Sequence, residues 1–206
     1  MSDELPPSLR AVRAARTADE VRSLYADWAE RYDHDLYDIA GVTGTDRIVE
    51  LLVAHLPSPA VAVLDVGCGS GAAGVRLGAR GVSTIDGVDL SPEMLALACR
   101  TGAYRWCVEA DVHEPLAAPG PLDGRRYAAC VSAGTFVAGH VDATAVPQVL
   151  GVLDPGAIVA WVVHESLWPS VAPELGRCDE LHRSLEATRR GGPVEAVMWV
   201  GRVRDR

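Results

Sequence analysis

The chain has no lysine and no asparagine, and only one glutamine (Gln148) and one phenylalanine (Phe136) among its 206 residues. Its 19 cations are therefore all arginine, set against 28 acidic residues for a net charge of −9. Each absence removes a chemistry. Without lysine there is no Schiff-base nucleophile, no pyridoxal-phosphate anchor and no P-loop lysine. Without asparagine there is no N-glycosylation site and no Asp-Asp-Asn metal set, so no catalytic metal is expected. The excess of negative charge repels phosphate at long range and argues against nucleic acid or an anionic membrane as partner. Long apolar runs are missing too. The stretch 157–163 falls far short of the ~20 residues that cross a bilayer, and residues 1–10 carry no apolar signal core. The five cysteines (Cys68, Cys99, Cys107, Cys130, Cys178) are odd in number and never spaced C-x-x-C. That argues against a disulfide framework, a zinc knuckle or an iron–sulfur cluster. A cytoplasmic protein is expected, and the Ala/Arg/Gly/Val-heavy usage suggests a GC-rich, bacterial genome.

What is present is a globular composition, 49% hydrophobic and 23% charged, at the length of one domain. Residues 1–16 read as a loose arm and 17–206 as a single domain. That domain divides into a helical lid (17–56), a core (57–165) and a short C-terminal part (166–206). Thr17-Ala-Asp-Glu20 has capping-box spacing and predicts a helix to about Asp33. A second helix fits 45–56, with Ile48, Leu51, Leu52 and His55 on one face. Strands are predicted at 61–66, 84–89, 104–109, 127–132, 157–163 and 194–203. Helices are predicted at 72–80, from Ser91-Pro92-Glu93 to Thr101, at 143–152 and at 173–189. The alternation of strand and helix, with apolar strands, predicts a parallel sheet covered on both faces.

The chemistry concentrates at strand ends. Leu64-Asp-Val-Gly-Cys-Gly-Ser-Gly-Ala-Ala-Gly74 ends a strand and opens a helix, where a glycine-rich turn lets backbone N–H groups approach a ligand. Two readings compete. Gly69, Gly71 and Gly74 satisfy the dinucleotide pattern G-x-G-x-x-G. Gly67, Gly69 and Gly71 satisfy G-x-G-x-G, with Asp65 two residues earlier. An acid there is unfavourable beside a pyrophosphate and suits a ligand bearing a cation. Asp89 lies 18 residues after Gly71, the distance at which an acid reaches a ribose diol, although a lone acid there also serves as a helix cap. The third strand ends in Glu109-Ala-Asp-Val112, whose Asp111 could accept from an adenine amino group beside apolar Leu90, Met94 and Val112.

These segments resemble the class I S-adenosylmethionine-dependent methyltransferases over 63–71, 87–94, 109–116 and 131–156, in the expected order. Tyr25-Ala-Asp-Trp-Ala-Glu-Arg-Tyr-Asp33 and Gly134-Thr-Phe-Val-Ala-Gly-His-Val141 resemble the small-molecule type typified by the Williams–Beuren-region methyltransferase-like group. The resemblance covers about 20–165. It implies a Rossmann-like doubly wound sheet of order 3-2-1-4-5 with an added C-terminal hairpin, and S-adenosylmethionine as cofactor. Residue by residue it implies Gly67, Gly69 and Gly71 under the methionine portion, Asp65 orienting its amino group, and Asp89 on the ribose. Asp111 would face the adenine amino group, with the Val112 amide on the ring. Ser132 would end strand 4 at the switch point, and Tyr32 would form a lid, although Tyr25, Trp28 and Tyr32 also suit plain helix packing.

A sulfonium methyl needs an aligned acceptor and, for a hydroxyl or ammonium, a general base. His140, after strand 4, ranks first, His164 second, and His34 is a third candidate. After the helix expected at 173–189 only one strand remains, so the C-terminal edge is expected to be reduced and 194–203 to lie near it. A covering segment at 165–172 or a homodimer would then be needed. A methyltransferase acting on a small-molecule acceptor is the leading expectation. The rivals are an NAD-dependent oxidoreductase and a non-catalytic or repurposed S-adenosylmethionine-binding protein.

Overall fold

In a computed structural model, which describes residues 7–15, 17–137 and 140–205, seven strands form one sheet in the order β3-β2-β1-β4-β5-β7-β6. β1 (Ala62–Val66), β2 (Thr84–Asp89), β3 (Trp106–Glu109), β4 (Tyr127–Phe136) and β5 (Leu153–His164) run parallel. β6 (Cys178–Ala187) and β7 (Val194–Val203) join antiparallel. The expected 3-2-1-4-5 order is observed. β1 lies between β2 and β4, which makes the chain's switch point the carboxyl end of β1.

Side chains alternate between two cores, as strands buried on both faces require. From β7, Val197, Trp199 and Val203 enter one core with Phe136, Trp161 and Leu150. Ala196, Met198 and Val200 enter the other, with Ile48 and Leu52 of helix α3 (Gly44–His55) and Leu77 of α4 (Ala72–Gly78). In the first core Phe136 stacks on Trp161 at 4.7 Å, and Trp161, Trp199 and Trp168 follow at 6.4 and 6.5 Å. Helix α5 (Pro92–Arg100) starts as its sequence predicts, the Ser91 hydroxyl accepting from the Met94 amide at 3.2 Å. Short α6 (Val146–Gly151) and α7 (Trp168–Glu174) pack beside β5.

Three expectations are corrected. The segment 173–189 is not a helix: only its start lies in α7, and 178–187 is strand β6. Leu181 and Leu185, four apart, mimic a helical stripe, yet both are exposed on an edge strand. Pairing with β7 across the Gly191-Gly192-Pro193 turn overrides the helix formers in between. The C-terminal hairpin is therefore complete, and β7 is an inner strand whose Val197, Met198 and Trp199 are all covered within the chain. The motive for a homodimer falls with that edge. Finally, the loose arm contains α1 (Pro7–Ala14), whose Val12 is fully buried against a cluster with Trp28 and Leu36; residues 1–6 and 16 lie outside the described residues.

The N-terminal segment caps the sheet's carboxyl end. Thr17 caps α2 (Ala18–Trp28) by accepting from the Glu20 amide at 3.2 Å. A 3-10 turn (Ala29–Arg31) and a π-helical turn (His34–Ile39) follow. This cap is tied to the glycine-rich turn by the Ser70 hydroxyl, which donates to Asp33 at 2.5 Å.

Candidate active site

A cavity of about 370 Å3 opens over the carboxyl ends of the strands. Gly67 and Gly69 form its floor, Asp89, Leu90, Ser91 and Met94 one wall, and Asp111, Val112 and His113 the next. Gly134 and Thr135 near the end of β4, with Val137 and His140 after it, form the opposite side, and Tyr25 and Tyr32 roof it. The turn at the floor needs glycine: Gly67, Gly69 and Gly71 have φ of 66°, 52° and 96°, a region side chains rarely enter. The Gly67 and Cys68 amides donate to the Val88 carbonyl at 2.9 and 3.0 Å, which fixes the turn to β2.

Asp65 does not line this cavity. It lies in a small recess of about 20 Å3 that shares Tyr32, Gly67, Gly69 and Ala133 with it. Its carboxylate accepts from the Tyr104 hydroxyl at 2.6 Å. Burial pushes Asp65 up to about 7, against the Tyr104 bond and with Asp89 adding to the rise. Asp89 holds its own turn: Oδ2 accepts from the Gly69 amide at 2.8 Å and Oδ1 from the Ser91 amide at 2.9 Å. Burial still raises it above the usual carboxylate value. Asp89 is thus both the helix-entry acid and a cavity wall.

At the far end, burial works to raise Asp111, but hydrogen bonds from the His113 amide and ring, both at 2.9 Å, outweigh it and hold the carboxyl low. His113 also reaches Asp142 at 3.7 Å and so joins the turn after β3 to the loop after β4. On the opposite side the Tyr25 hydroxyl and His140 Nε2 are 3.0 Å apart. Burial, and then the Asp89 charge, push Tyr25 far above its ordinary value, so it keeps its proton. Tyr25 also packs edge-on to the His140 ring at 5.7 Å.

The structure therefore gathers Tyr32, Gly67, Gly69, Asp89, Leu90, Met94, Asp111, Val112 and His140 around one cavity. Gly71 sits behind the turn and caps α4. Ser132 is fully buried, its hydroxyl donating to the Val66 carbonyl at 2.9 Å, and it joins two strands rather than facing the cavity. His164 lies outside, with Nδ1 2.8 Å from the Ser166 hydroxyl and Nε2 3.8 Å from Glu195. His34 pairs with Asp38 on the exposed π-helical turn. Trp28 is core, donating from Nε1 to Asp35 at 2.7 Å. Sequence reasoning missed Thr17, Arg22, His113 and Asp142 in the lining. The Asp-x-His spacing of 111 and 113 was a usable signal; a capping threonine and an exposed-face arginine gave none.

Comparison with known proteins adds the following. Residues 63–156 match the model of a family described as a methyltransferase domain. The chain is 30% identical over 205 residues to methyltransferase-like protein 27 of Homo sapiens, covering 96% of this chain and 77% of that protein. Among solved structures it resembles the 1,6-didemethyltoxoflavin-N1-methyltransferase of Burkholderia thailandensis, with bound 1,6-didemethyltoxoflavin and S-adenosylhomocysteine. That match has a TM-score of 0.64 and 21% identity, over all of this chain and 93% of the other. The magnesium protoporphyrin IX methyltransferase of Synechocystis, with bound S-adenosylhomocysteine, matches at TM-score 0.69 and 15% identity, over 91% and 99%.

Proposed function

The chain belongs to the class I S-adenosylmethionine-dependent methyltransferase family, and we propose that it methylates a small-molecule acceptor held under Tyr25 and Tyr32. The observation that supports this is the roofed cavity: Tyr25 of α2 and Tyr32 lie over the strand ends, above a space of about 370 Å3. The net charge of −9 adds to it by repelling phosphate backbones. The structural neighbours whose names state a toxoflavin precursor and a magnesium porphyrin support the same class. The complete β6–β7 hairpin supplies the C-terminal edge that was expected to be reduced. Five unpaired cysteines support a reducing, cytoplasmic setting, and among the described residues no helix is long and apolar enough to cross a membrane.

The residues present fit the cofactor. Glycines at positive φ give a backbone floor, an acid stands at each of three strand ends, and among the described residues Arg22 is the one arginine in the lining, which suits a cationic ligand without phosphates. When bound, S-adenosylmethionine supplies a methyl group that is already electrophilic. Gly67 and Gly69 would carry the methionine portion, and Asp65, from its recess, would take the amino group. Asp89 would accept from the ribose hydroxyls, Asp111 would face the adenine amino group, and apolar Leu90, Met94 and Val112 would line the space for the ring. Tyr32 shuts out water. His140 takes the proton that a hydroxyl or ammonium acceptor gives up, and Tyr25 holds its ring in place.

Incubation with methyl-labelled S-adenosylmethionine and a cell extract split by size tests the acceptor class. Label in the fraction below about 1 kDa is the expected result. Label confined to protein or nucleic acid would overturn it.

A further inference from the structure

Tyr104 lies just before β3, in a stretch where an aromatic residue reads as ordinary core. Its surroundings are not ordinary. The ring lies in a slot made by three glycines from two places in the chain, the start of α4 and β2. A Cβ at Gly74 would come within 2.5 Å of Tyr104 Oη, and one at Gly87 within 3.0 Å of two ring carbons. One at Gly71 would reach 3.0 Å from Cε2. The slot delivers the hydroxyl beneath the glycine-rich turn. There it accepts from the Gly74 amide at 3.0 Å and donates to Asp65 Oδ2 at 2.6 Å. The amide fills an oxygen lone pair, so the one phenolic proton is aimed at Asp65.

The groups around Asp65 leave Tyr104 with that task alone. Asp89 at the end of β2 adds negative charge, and burial together with the Asp65 charge pushes the Cys68 and Cys130 thiols up, so both stay neutral. Tyr32 and Tyr37 of the cap share its recess. No cation figures among the influences on Asp65: burial, Asp89 and the Tyr104 bond are its causes.

We propose that Tyr104 is a positioning residue for cofactor binding: it holds one oxygen of Asp65 and leaves the other oxygen for the amino group of the cofactor's methionine arm. This rests on the cofactor reading above. It also gives Gly74 a purpose unrelated to a pyrophosphate, namely room for the Tyr104 ring.

The test is the affinity of two ligands between pH 5.5 and 8, measured by calorimetry: S-adenosylhomocysteine, and 5′-methylthioadenosine, which lacks the amino-acid arm. For the parent, S-adenosylhomocysteine binding weakens as pH falls and Asp65 takes a proton, whereas methylthioadenosine binding follows no such curve. Tyr104→Phe keeps the ring in its slot and removes the proton donor. It should move the S-adenosylhomocysteine curve about one pH unit upward or more, with a loss of about eightfold or larger near pH 6.5. Methylthioadenosine affinity should stay within threefold. On an Asp65→Asn background the same change should shift nothing. Fluorotyrosine at 104, a more acidic donor, should move the curve the other way, and it serves even if the phenylalanine variant folds poorly. Coincident curves for parent and both variants would overturn the role of Tyr104 alone. Equal loss of both ligands at every pH would do the same and mark Tyr104 as structural. A parent that binds neither ligand would overturn the cofactor reading and the proposal with it.

Discussion

Asp65→Asn should stabilise the ligand-free protein while weakening its ligand. Asp65 is only 1% exposed, and burial lifts its carboxyl from an ordinary 3.8 to about 7. Between those values the folded chain holds a proton that the unfolded chain has released, so stability falls as pH rises through this window and stays reduced above it. A rise of about three units corresponds to roughly 4 kcal/mol, which is an upper limit. Asparagine keeps an oxygen for the Tyr104 hydroxyl but brings an amide N–H2 that needs its own partner, so about half of that, ~2 kcal/mol, is expected at pH 8. For a chain of this length that is ~4–8 °C in Tm. The assay is a thermal melt of parent and variant without ligand from pH 4 to 8. The advantage of the variant should grow across that range and be near zero at the acid end. S-adenosylhomocysteine should meanwhile stabilise the variant less than the parent. A variant less stable than the parent at pH 8, or a difference that does not change with pH, would refute the reasoning.

Asp89→Ala should weaken S-adenosylhomocysteine by about 100-fold or more through two lost charge-assisted bonds. It should also cost ~1–2 kcal/mol in the melt, because the Gly69 and Ser91 amides lose their acceptor; calorimetry and melting read the two apart, and an affinity within twofold of the parent would leave Asp89 only its capping role. His140→Ala should lower turnover at least about tenfold, the low end of what a base supplies, with cofactor affinity within threefold; unchanged activity across the pH range would remove it from the mechanism. Arg105→Ala, away from the cavity, strips the forked partner from fully buried Asp86, whose Oδ2 still accepts from the Tyr127 hydroxyl. Because Arg105 itself is half-exposed, a loss of ~1–3 kcal/mol is expected, with S-adenosylhomocysteine affinity unchanged.

The parallel core was legible because its signals are local. A hydroxyl cap with proline at Ser91-Pro92, glycines after β1 and acids at three strand ends each carry their geometry within a few residues. One wall of the cavity was legible for the same reason: Asp89 and Asp111 stand at the ends of the strands on which they were read, while Asp65 lies in the recess beside it. β6 was not legible. An edge strand has one wet face and one open side, so Leu181 and Leu185 carry no burial pattern, and its pairing partner lies beyond a glycine turn. Ser132 misled because strand direction gives the end of the sheet but not the side to which a residue turns. Tyr104 could not be found from sequence at all: its role depends on Gly71, Gly74 and Gly87 meeting around one ring, and no spacing along the chain encodes that meeting.

The most direct test of the account is a calorimetric titration of the purified chain with S-adenosylhomocysteine, repeated with NAD. The account predicts one site of micromolar affinity or better for S-adenosylhomocysteine, lost in the Asp89→Ala variant, and no binding of NAD. Saturable NAD binding at the glycine-rich turn, or no heat with millimolar S-adenosylhomocysteine, would contradict it.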